Sequence, residues 1–207
     1  ATLRVEALSY MYDDLHPDTA LHRRLEYVDE RYGGILPLPV FVEATGPTAE
    51  RRLLSPRTMQ RVDELARWLE RVDEVSRVTS IVDHLKKANQ AFHGGDPDAR
   101  RIPDDPDLIG TELGLMSRDV YGDHLSADLR ATQIRARVRN CGSRRMGEIL
   151  AALRREIARD PVEGVEMEPT GTTVMVQPVF DFVVWSLAKS LALAVGIIFL
   201  TLVLLLR

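Results

Sequence analysis

The segment that most constrains this chain is its C-terminal run, where residues 190–206 read SLALAVGIIFLTLVLLL without a charge. A charge-free run of this length lies at the short end of the ~17–25 residues that cross a bilayer as a helix. A buried helix of a soluble core is the alternative, but such helices are rarely apolar on every face for so long. The run therefore predicts one transmembrane α-helix within residues 173–207.

The residues before the run predict where the helix meets the membrane surface. Lys189 lies eighteen positions before Arg207, which is about 27 Å along a helix. Since the hydrocarbon core is ~30 Å thick, the two cations reach opposite faces, and Lys189 can extend its amine into the headgroups. Aromatic residues favour the same interface. The predicted interface anchors are Phe180, Phe182, Trp185 and Lys189.

The composition limits the classes of partner and site. A formal net charge of −4 over 207 residues argues against a surface dedicated to nucleic acid. The single cysteine, Cys141, excludes an intrachain disulfide framework and a multi-cysteine metal site. The chain starts without a methionine or a signal-type apolar stretch and stops directly after the apolar run. We therefore expect it to be a piece of a longer protein.

The first half of the remaining sequence predicts a strand–helix–strand unit. Residues 36–44, LPLPVFVEA, place apolar side chains at alternate positions on one face of a strand. Pro37 and Pro39 restrict the start of that strand to a sheet edge or a lead-in. An amphipathic helix begins with Pro56 behind a serine cap. Residues 75–81 then form a short second strand.

A second unit follows and completes the predicted fold. Residues 133–139 alternate between apolar residues on one face and polar residues, mostly arginines, on the other, a helix begins near Gly142, and a closing strand contains Val165 and Met167. Two such units predict an α+β fold, a ferredoxin-like split βαβ sheet with helices on one face. The row of Arg135, Arg137 and Arg139 fits either recognition of anionic headgroups or the solvated face of a sheet.

The chain divides into three predicted segments. Residues 1–34 hold a strand and a helix that ends at a glycine pair. Residues 35–172 form the α/β domain, with a helical insertion at about 82–125. Residues 173–207 form the membrane helix. The apolar residues of the insertion fit either a substrate path or a lid packed on the sheet.

The sequence contains none of the common catalytic or metal-binding motifs. The sequence has no Gly-rich phosphate loop, no nucleophile elbow and no His-Glu-x-x-His pattern. Its five histidines lack ligand-like spacing, and the acidic loop 96–107 lacks the spaced ligands and closing glutamate of a calcium loop. We predict no catalytic residue, no metal site and no cofactor, and the substrate-binding residues are unknown.

The order of several segments resembles one family. The segments are the GG pair before LPLPVFVEA, the SP-initiated helix, VSRVTSIVDHLKKANQAF, the linker RIPDDPD, the arginine-rich strand with its helix, and Thr170-Gly171 before SLALAVGIIFL. Together they resemble the large extracytoplasmic loop of exporters of the resistance–nodulation–division (RND) superfamily, in its MMPL and hopanoid-exporter-like branch. Each segment is short, and their order and spacing carry the resemblance over essentially the whole chain.

The resemblance implies a porter domain between two membrane helices, the first of which is missing here, with Thr170 and Gly171 at the junction between domain and helix. It implies a proton-driven exporter of hydrophobic or lipid-like molecules and not an enzyme. The expected location is the inner (plasma) membrane, with the soluble domain on the extracytoplasmic side. The expected partners are membrane lipid, a hydrophobic or amphiphilic small molecule and the remaining transmembrane helices, with no nucleic acid; a homo-oligomer is possible.

Other functions fit the same sequence. A membrane-anchored extracytoplasmic sensor or interaction domain would also join an α/β domain to a single helix. A protein-export or sterol-sensing relative belongs to the same superfamily. An anchored enzyme is the third alternative and is disfavoured by the negative motif search.

Overall fold

The computed structural model describes residue 16 and residues 18–206. It has a mixed α+β domain followed by one long helix. In chain order the helices and strands are α1 (Ala20–Tyr32), β1 (Leu36–Ala44), α2 (Ala49–Leu53), α3 (Pro56–Glu70), β2 (Val75–Thr79), α4 (Ile81–Phe92), a 3-10 turn (Pro97–Ala99), α5 (Pro106–Leu115), α6 (Arg118–Tyr121), β3 (Ala131–Val138), α7 (Gly142–Arg159), β4 (Val165–Pro169) and α8 (Thr172–Leu205).

The strands of the described residues form one four-stranded sheet in the order β2–β3–β1–β4, with every neighbouring pair antiparallel. β1 and β2 therefore run parallel with β3 between them, and β3 and β4 run parallel with β1 between them. Each βαβ unit is thus split by a strand of the other unit, which is the ferredoxin-like arrangement. The predicted fold class is confirmed.

The hydrophobic core lies on one face of this sheet. The even-numbered residues of β1, from Leu36 to Ala44, are buried, and the residues between them are more exposed. They pack in one core with the apolar stripes of α3 and α7, including Leu65 and Leu153, which are both fully buried. A buried leucine contributes about 1.5–3 kcal/mol. The apolar face of the strand, which repeats every two residues, therefore packs against the apolar stripes of the helices, which repeat every three to four residues.

Side chains cap the starts of α3, which was predicted from its serine and proline, and of α4. The Ser55 hydroxyl accepts a hydrogen bond from the Thr58 amide at 3.2 Å, directly before Pro56. At the start of α4, the Ser80 amide donates to the Asp83 carboxylate at 2.9 Å, which is half of a capping box. These local bonds satisfy amides that have no partner within the helix.

The glycine pair after α1 ends the helix and also allows the chain to pass close to β3. Gly33 has φ +75° and caps α1 in the left-handed conformation. At Gly34 a Cβ atom would lie 2.5 Å from the carbonyl carbon and oxygen of Val138, so only glycine fits beside β3. The buried Asp29 carboxylate of α1 accepts from the amides of Ile35 at 3.0 Å and Asn140 at 3.1 Å. The strand predicted within residues 1–34 lies outside the described residues.

The segment between β2 and β3 contains α4, the 3-10 turn, α5 and α6. Ile109 and Leu113 of α5 are buried in the main core. The Asn89 amide nitrogen donates to the carbonyls of Ala99 at 2.9 Å and Arg101 at 3.1 Å, which holds the intervening loop. This packing favours the interpretation of a segment packed on the domain. The limits of 82–125 for the insertion stay a prediction.

A fully buried arginine joins the two core helices. Arg61 of α3 is 0% exposed. Its guanidinium donates to Glu64 at 3.2 Å and to the main-chain carbonyl of Glu156 in α7. The burial of Arg61 cannot be predicted from the sequence, because an arginine within an amphipathic helix usually lies on the exposed face.

Candidate functional site

The long helix α8 begins where β4 ends, and it is tied to β1 at that point. The Thr170 amide donates to the carbonyl of Pro39 at 2.9 Å. Gly171 is the N-cap of α8 with φ +92°, and a Cβ atom there would lie 3.1 Å from the Pro39 ring. Two residues later the Thr173 hydroxyl donates to the carbonyl of Pro37 at 2.7 Å. The first turn of α8 is therefore fixed to β1 by hydrogen bonds and by a close contact.

The two prolines of β1 explain why these carbonyls are available. Odd-numbered residues at this part of the sheet direct their main-chain groups toward β4, as the bond from the Thr45 amide to the Gly164 carbonyl shows. β4 pairs with β1 only from Val40 onward. Within the described part of the chain, no strand therefore lies beside Pro37 and Pro39 on that side. Their missing N–H groups break no ladder bond there, and their carbonyls are free to accept from α8.

The prediction that these prolines restrict the start of β1 to a sheet edge or a lead-in applies to the first residues of the strand and not to the whole of β1. β1 is a central strand, with β3 on one side and β4 on the other. Among the residues that the structure describes, the first residues of β1 have no strand neighbour on the β4 side, because β4 is short and is followed there by α8. The edge is local, and the start of the helix covers it.

The helix α8 is continuous over 34 residues, or about 51 Å, which exceeds the ~30 Å hydrocarbon core. Among the described residues, one segment, Trp185–Leu205, is long and apolar enough to cross a membrane, and none of it is buried within the structure. Phe182 and Trp185 are exposed, and Lys189 Nζ lies 5.0 Å from the centroid of the Trp185 ring. Phe180 lies in α8, and its side chain is outside the described part.

An open pocket of about 650 Å³ lies where β2 and β3 meet α4 and the segment before β3. We call it the basic pocket. Five cations and one carboxylate, Asp83, line it together with two histidines and uncharged residues. The cations are Arg77, Lys87, Arg100, Arg135 and Arg137, and the histidines are His84 and His124. The pocket is positive although the chain as a whole carries −4.

His124 is the buried side chain of this pocket. It is 8% exposed, and its Nδ1 has no hydrogen-bond partner among the described residues. Burial lowers the pKa of His124 below its usual value, and the nearby Arg135 lowers it further. The ring is therefore neutral at pH 7, and its centroid lies 5.4 Å from that of His84.

A family comparison identifies the kind of protein to which this domain and helix belong. A family model described as the MMPL family matches residues 41–207, well over half of the chain. The chain belongs to the MMPL family. It is therefore an RND-type, transporter-related domain, and the MMPL family is a family of transporters. No curated protein matches the chain. The resemblance to the MMPL branch is confirmed, and the hopanoid-exporter-like branch stays a prediction.

In this MMPL domain, the predicted junction residues Thr170 and Gly171 lie at the start of α8 and contact β1. The three arginines of the predicted row on β3 and just after it lie in two different environments. Arg135 and Arg137 line the basic pocket, whereas Arg139 donates to the carbonyl of Asp73 at 2.6 Å. The row is therefore partly a pocket wall and partly a structural contact.

Sequence reasoning missed the other residues of the basic pocket. His84 and His124 are forty positions apart, and Arg77, Lys87 and Arg100 belong to three different segments. No short motif relates them. The sequence feature that pointed to part of the pocket was the alternation of apolar and polar residues along β3, which places Arg135 and Arg137 on the same face of the strand.

In the described part of the MMPL domain, the other titratable groups have the surroundings of structural residues. Within the described residues, no group of three or more His, Cys, Asp or Glu side chains could hold a metal ion. Burial raises the pKa of the Cys141 thiol, so this cysteine is not an activated nucleophile. In the acidic loop, Asp96 and Asp105 accept hydrogen bonds from the amides two residues later, which is a capping role.

Proposed function

We propose that this chain is the extracytoplasmic porter domain, with its following membrane helix, of a proton-driven exporter in the plasma membrane. The cargo in this proposal is a hydrophobic or amphiphilic, lipid-like molecule. Membership of the MMPL family supports a transporter. The apolar segment Trp185–Leu205 supports attachment of the domain to the membrane.

The observation that carries the proposal is the bonding of α8 to β1. A helix that ends in a flexible linker could move without affecting the domain. Here the Thr170 amide donates a hydrogen bond to the Pro39 carbonyl, and the Thr173 hydroxyl donates one to the Pro37 carbonyl. The strand that carries both carbonyls, β1, is paired with β3 on one side and with β4 on the other. A shift or tilt of α8 would therefore move the sheet with it, which is how a membrane helix can open and close a cleft outside the bilayer.

In this mechanism the chain transmits movement and does not itself carry the proton. The segment Trp185–Leu205 contains a single charged residue, Lys189. An interfacial lysine stabilised by the Trp185 ring acts as an anchor. We assign the interface to Phe180, Phe182, Trp185 and Lys189. The acidic proton carriers then belong to other membrane helices of the same transporter, which supply the driving movement.

The test is an insertion that breaks the mechanical link in the complete transporter. Gly-Gly-Ser inserted after Gly171 separates α8 from the domain. The matched control is the same insertion after Gly94, a loop glycine at which an added Cβ would meet nothing within 4 Å. Export is measured as the lipids that appear outside the plasma membrane in cells with the transporter but not in cells without it.

We expect the junction insertion to abolish export at an unchanged protein level in the membrane, and the loop insertion to leave export intact. Equal export by the two variants would refute mechanical transmission through α8. Unchanged surface lipids in cells that lack the transporter would instead refute the export function itself and favour a sensor or interaction domain.

A further inference from the structure

Two arginines of the basic pocket lie directly opposite each other on neighbouring strands. Arg77 of β2 pairs in register with Arg137 of β3, and both side chains are exposed. Among the described residues, neither forms an ion pair with a carboxylate. Like charges at directly opposed positions destabilise a sheet. The fold itself therefore gains nothing from this pair, and a bound anion would remove the repulsion.

The remaining cations approach the same space from other elements. Arg135 follows on β3, Lys87 projects from α4, and Arg100 comes from the loop after the 3-10 turn. The lining carboxylate, Asp83, already accepts from the Ser80 amide at the start of α4. Asp123 lies 3.2 Å from Arg135 but is 83% exposed, so solvent screens this pair. Most of the positive charge is therefore left for a ligand.

The chemistry of the lining favours phosphate over a single carboxylate. A guanidinium is a planar fork whose N–H groups match two oxygens of a phosphate. Phosphate offers several acceptor oxygens and up to two negative charges, which suits cations that converge from three sides. The neutral, buried His124 adds an uncharged ring with an unpartnered Nδ1 within the described structure. We propose that the basic pocket binds a phosphate group, carried by a lipid headgroup or free in solution.

The position of this site relates it to the helix junction. Arg137 and Arg135 pair in register with Pro37 and Pro39, the residues whose carbonyls hold α8. These arginines therefore belong to the strand next to the one that moves with the helix, and the backbones of the two strands are about 4.8 Å apart. Use of the pocket for cargo rests on the proposed transport function, whereas phosphate binding itself does not. Lost export and lost phosphate binding are thus separate results.

The experiment measures thermal unfolding of the full chain in neutral-detergent micelles at constant ionic strength. Sodium phosphate is compared with sodium chloride, and micelles doped with phosphatidylglycerol are compared with micelles doped with phosphatidylcholine. Hexaglutamate serves as a probe for an acidic protein partner. The variant is Arg77→Gln with Arg137→Gln. The control is Arg154→Gln with Arg155→Gln, which makes the same charge change on exposed residues of α7.

We expect a phosphate probe to raise the unfolding temperature of the wild-type chain and of the α7 control. The pocket variant should bind at least about tenfold more weakly, while its stability without ligand is equal or higher because the repulsion is gone. Protection by sodium phosphate indicates a free anion, and protection by phosphatidylglycerol alone indicates a headgroup. The site is refuted if neither probe protects, if the pocket variant retains full protection, or if hexaglutamate alone protects.

Discussion

The hydroxyl of Thr173 in the first turn of α8 donates a hydrogen bond of 2.7 Å to the main-chain carbonyl of Pro37 in β1. This bond and the one from the Thr170 amide to Pro39 lie on either side of Gly171. Two attachments separated by a tight turn fix both the position and the direction of the helix.

Replacing Thr173 by valine keeps the shape of the side chain and removes the donor. We expect Thr173→Val to destabilise the domain by about 1 kcal/mol and to speed hydrogen exchange of amides in the first turn of α8. Thr172→Val is the matched control, because Thr172 is exposed and adjacent. Hydrogen exchange read by mass spectrometry and thermal unfolding provide the measurements. Equal exchange in both variants would show that the bond does not hold the helix.

A methyl group at Gly171 should be more costly than one at a loop glycine. Gly171 has φ +92°, and its added Cβ would lie 3.1 Å from the Pro39 ring. Gly94 has φ +70° and open space around it. Gly94→Ala should lose about 1 kcal/mol through backbone strain. Gly171→Ala should lose about 2 kcal/mol or more, because the backbone of Gly171, with ψ 176°, lies in a region that essentially only glycine adopts and the Pro39 ring adds a close contact. Thermal unfolding compares them, and equal losses would contradict the close contact.

The buried carboxylate of Asp29 should be essential for the fold. It accepts from the amides of Ile35 and Asn140, and it is 6% exposed. Asp29→Ala leaves both amides without this acceptor, which should cost about 2–3 kcal/mol. Glu30→Gln, an exposed neighbour, is the control. Thermal unfolding measures both, and a loss under about 0.5 kcal/mol for Asp29→Ala, the range of ordinary surface changes, would argue against the role.

Glu112 should give the domain a pH-dependent stability. It is 1% exposed, and neither carboxyl oxygen has a hydrogen-bond partner among the described residues. Burial raises the pKa of this carboxyl above 4.5, against a smaller opposing effect of His93. The folded chain therefore holds the proton more tightly than the unfolded chain. Its contribution is complete below the unfolded pKa and is lost as the pH rises through the folded pKa.

We therefore expect Glu112→Gln to be more stable than the wild type at pH 7 and to lose less stability between pH 4.5 and pH 7. Glu70→Gln, at the exposed end of α3, is the control for a lost surface charge. Unfolding temperatures across this pH range provide the measurement. Parallel pH profiles for wild type and Glu112→Gln would show that Glu112 is ionised without penalty in the fold.

The position of the membrane boundary can be measured by cysteine labelling. Cys141→Ser removes the native thiol, and a single cysteine replaces either Phe182 or Leu193 in a transporter cleared of other cysteines. In intact cells a membrane-impermeant maleimide should label the cysteine at 182 and not the one at 193. Labelling of the cysteine at 182 only after the cells are opened would place the domain on the cytoplasmic side.

Most local structure followed from the sequence because short-range chemistry decides it. The serine–proline start of α3, the glycine end of α1 and the alternation of β1 each have their cause within a few residues. The split βαβ arrangement followed from the order of these elements. Buried Arg61 and Asp29 did not, because their partners Glu156 and Asn140 lie about a hundred positions away in sequence.

The prediction of a sheet edge or a lead-in at Pro37 and Pro39 shows the same limit. A proline predicts a missing ladder bond, but it does not tell which neighbour is absent. Only the sheet order shows that β1 is central and that its unpaired stretch faces the start of α8. The basic pocket is a second case, since the register of β2 against β3 brings Arg77 opposite Arg137.

The sequence by itself determined the long apolar helix, the strand and helix pattern and the fold class, because apolar length, periodicity and capping act between near neighbours in the chain. The tertiary structure alone decided how α8 is joined to β1 and which cations face one pocket. Those features depend on strand order and register, which are set by packing of the whole core. The residues that connect the helix to the domain are therefore visible in the sequence only as prolines and threonines without an assigned partner.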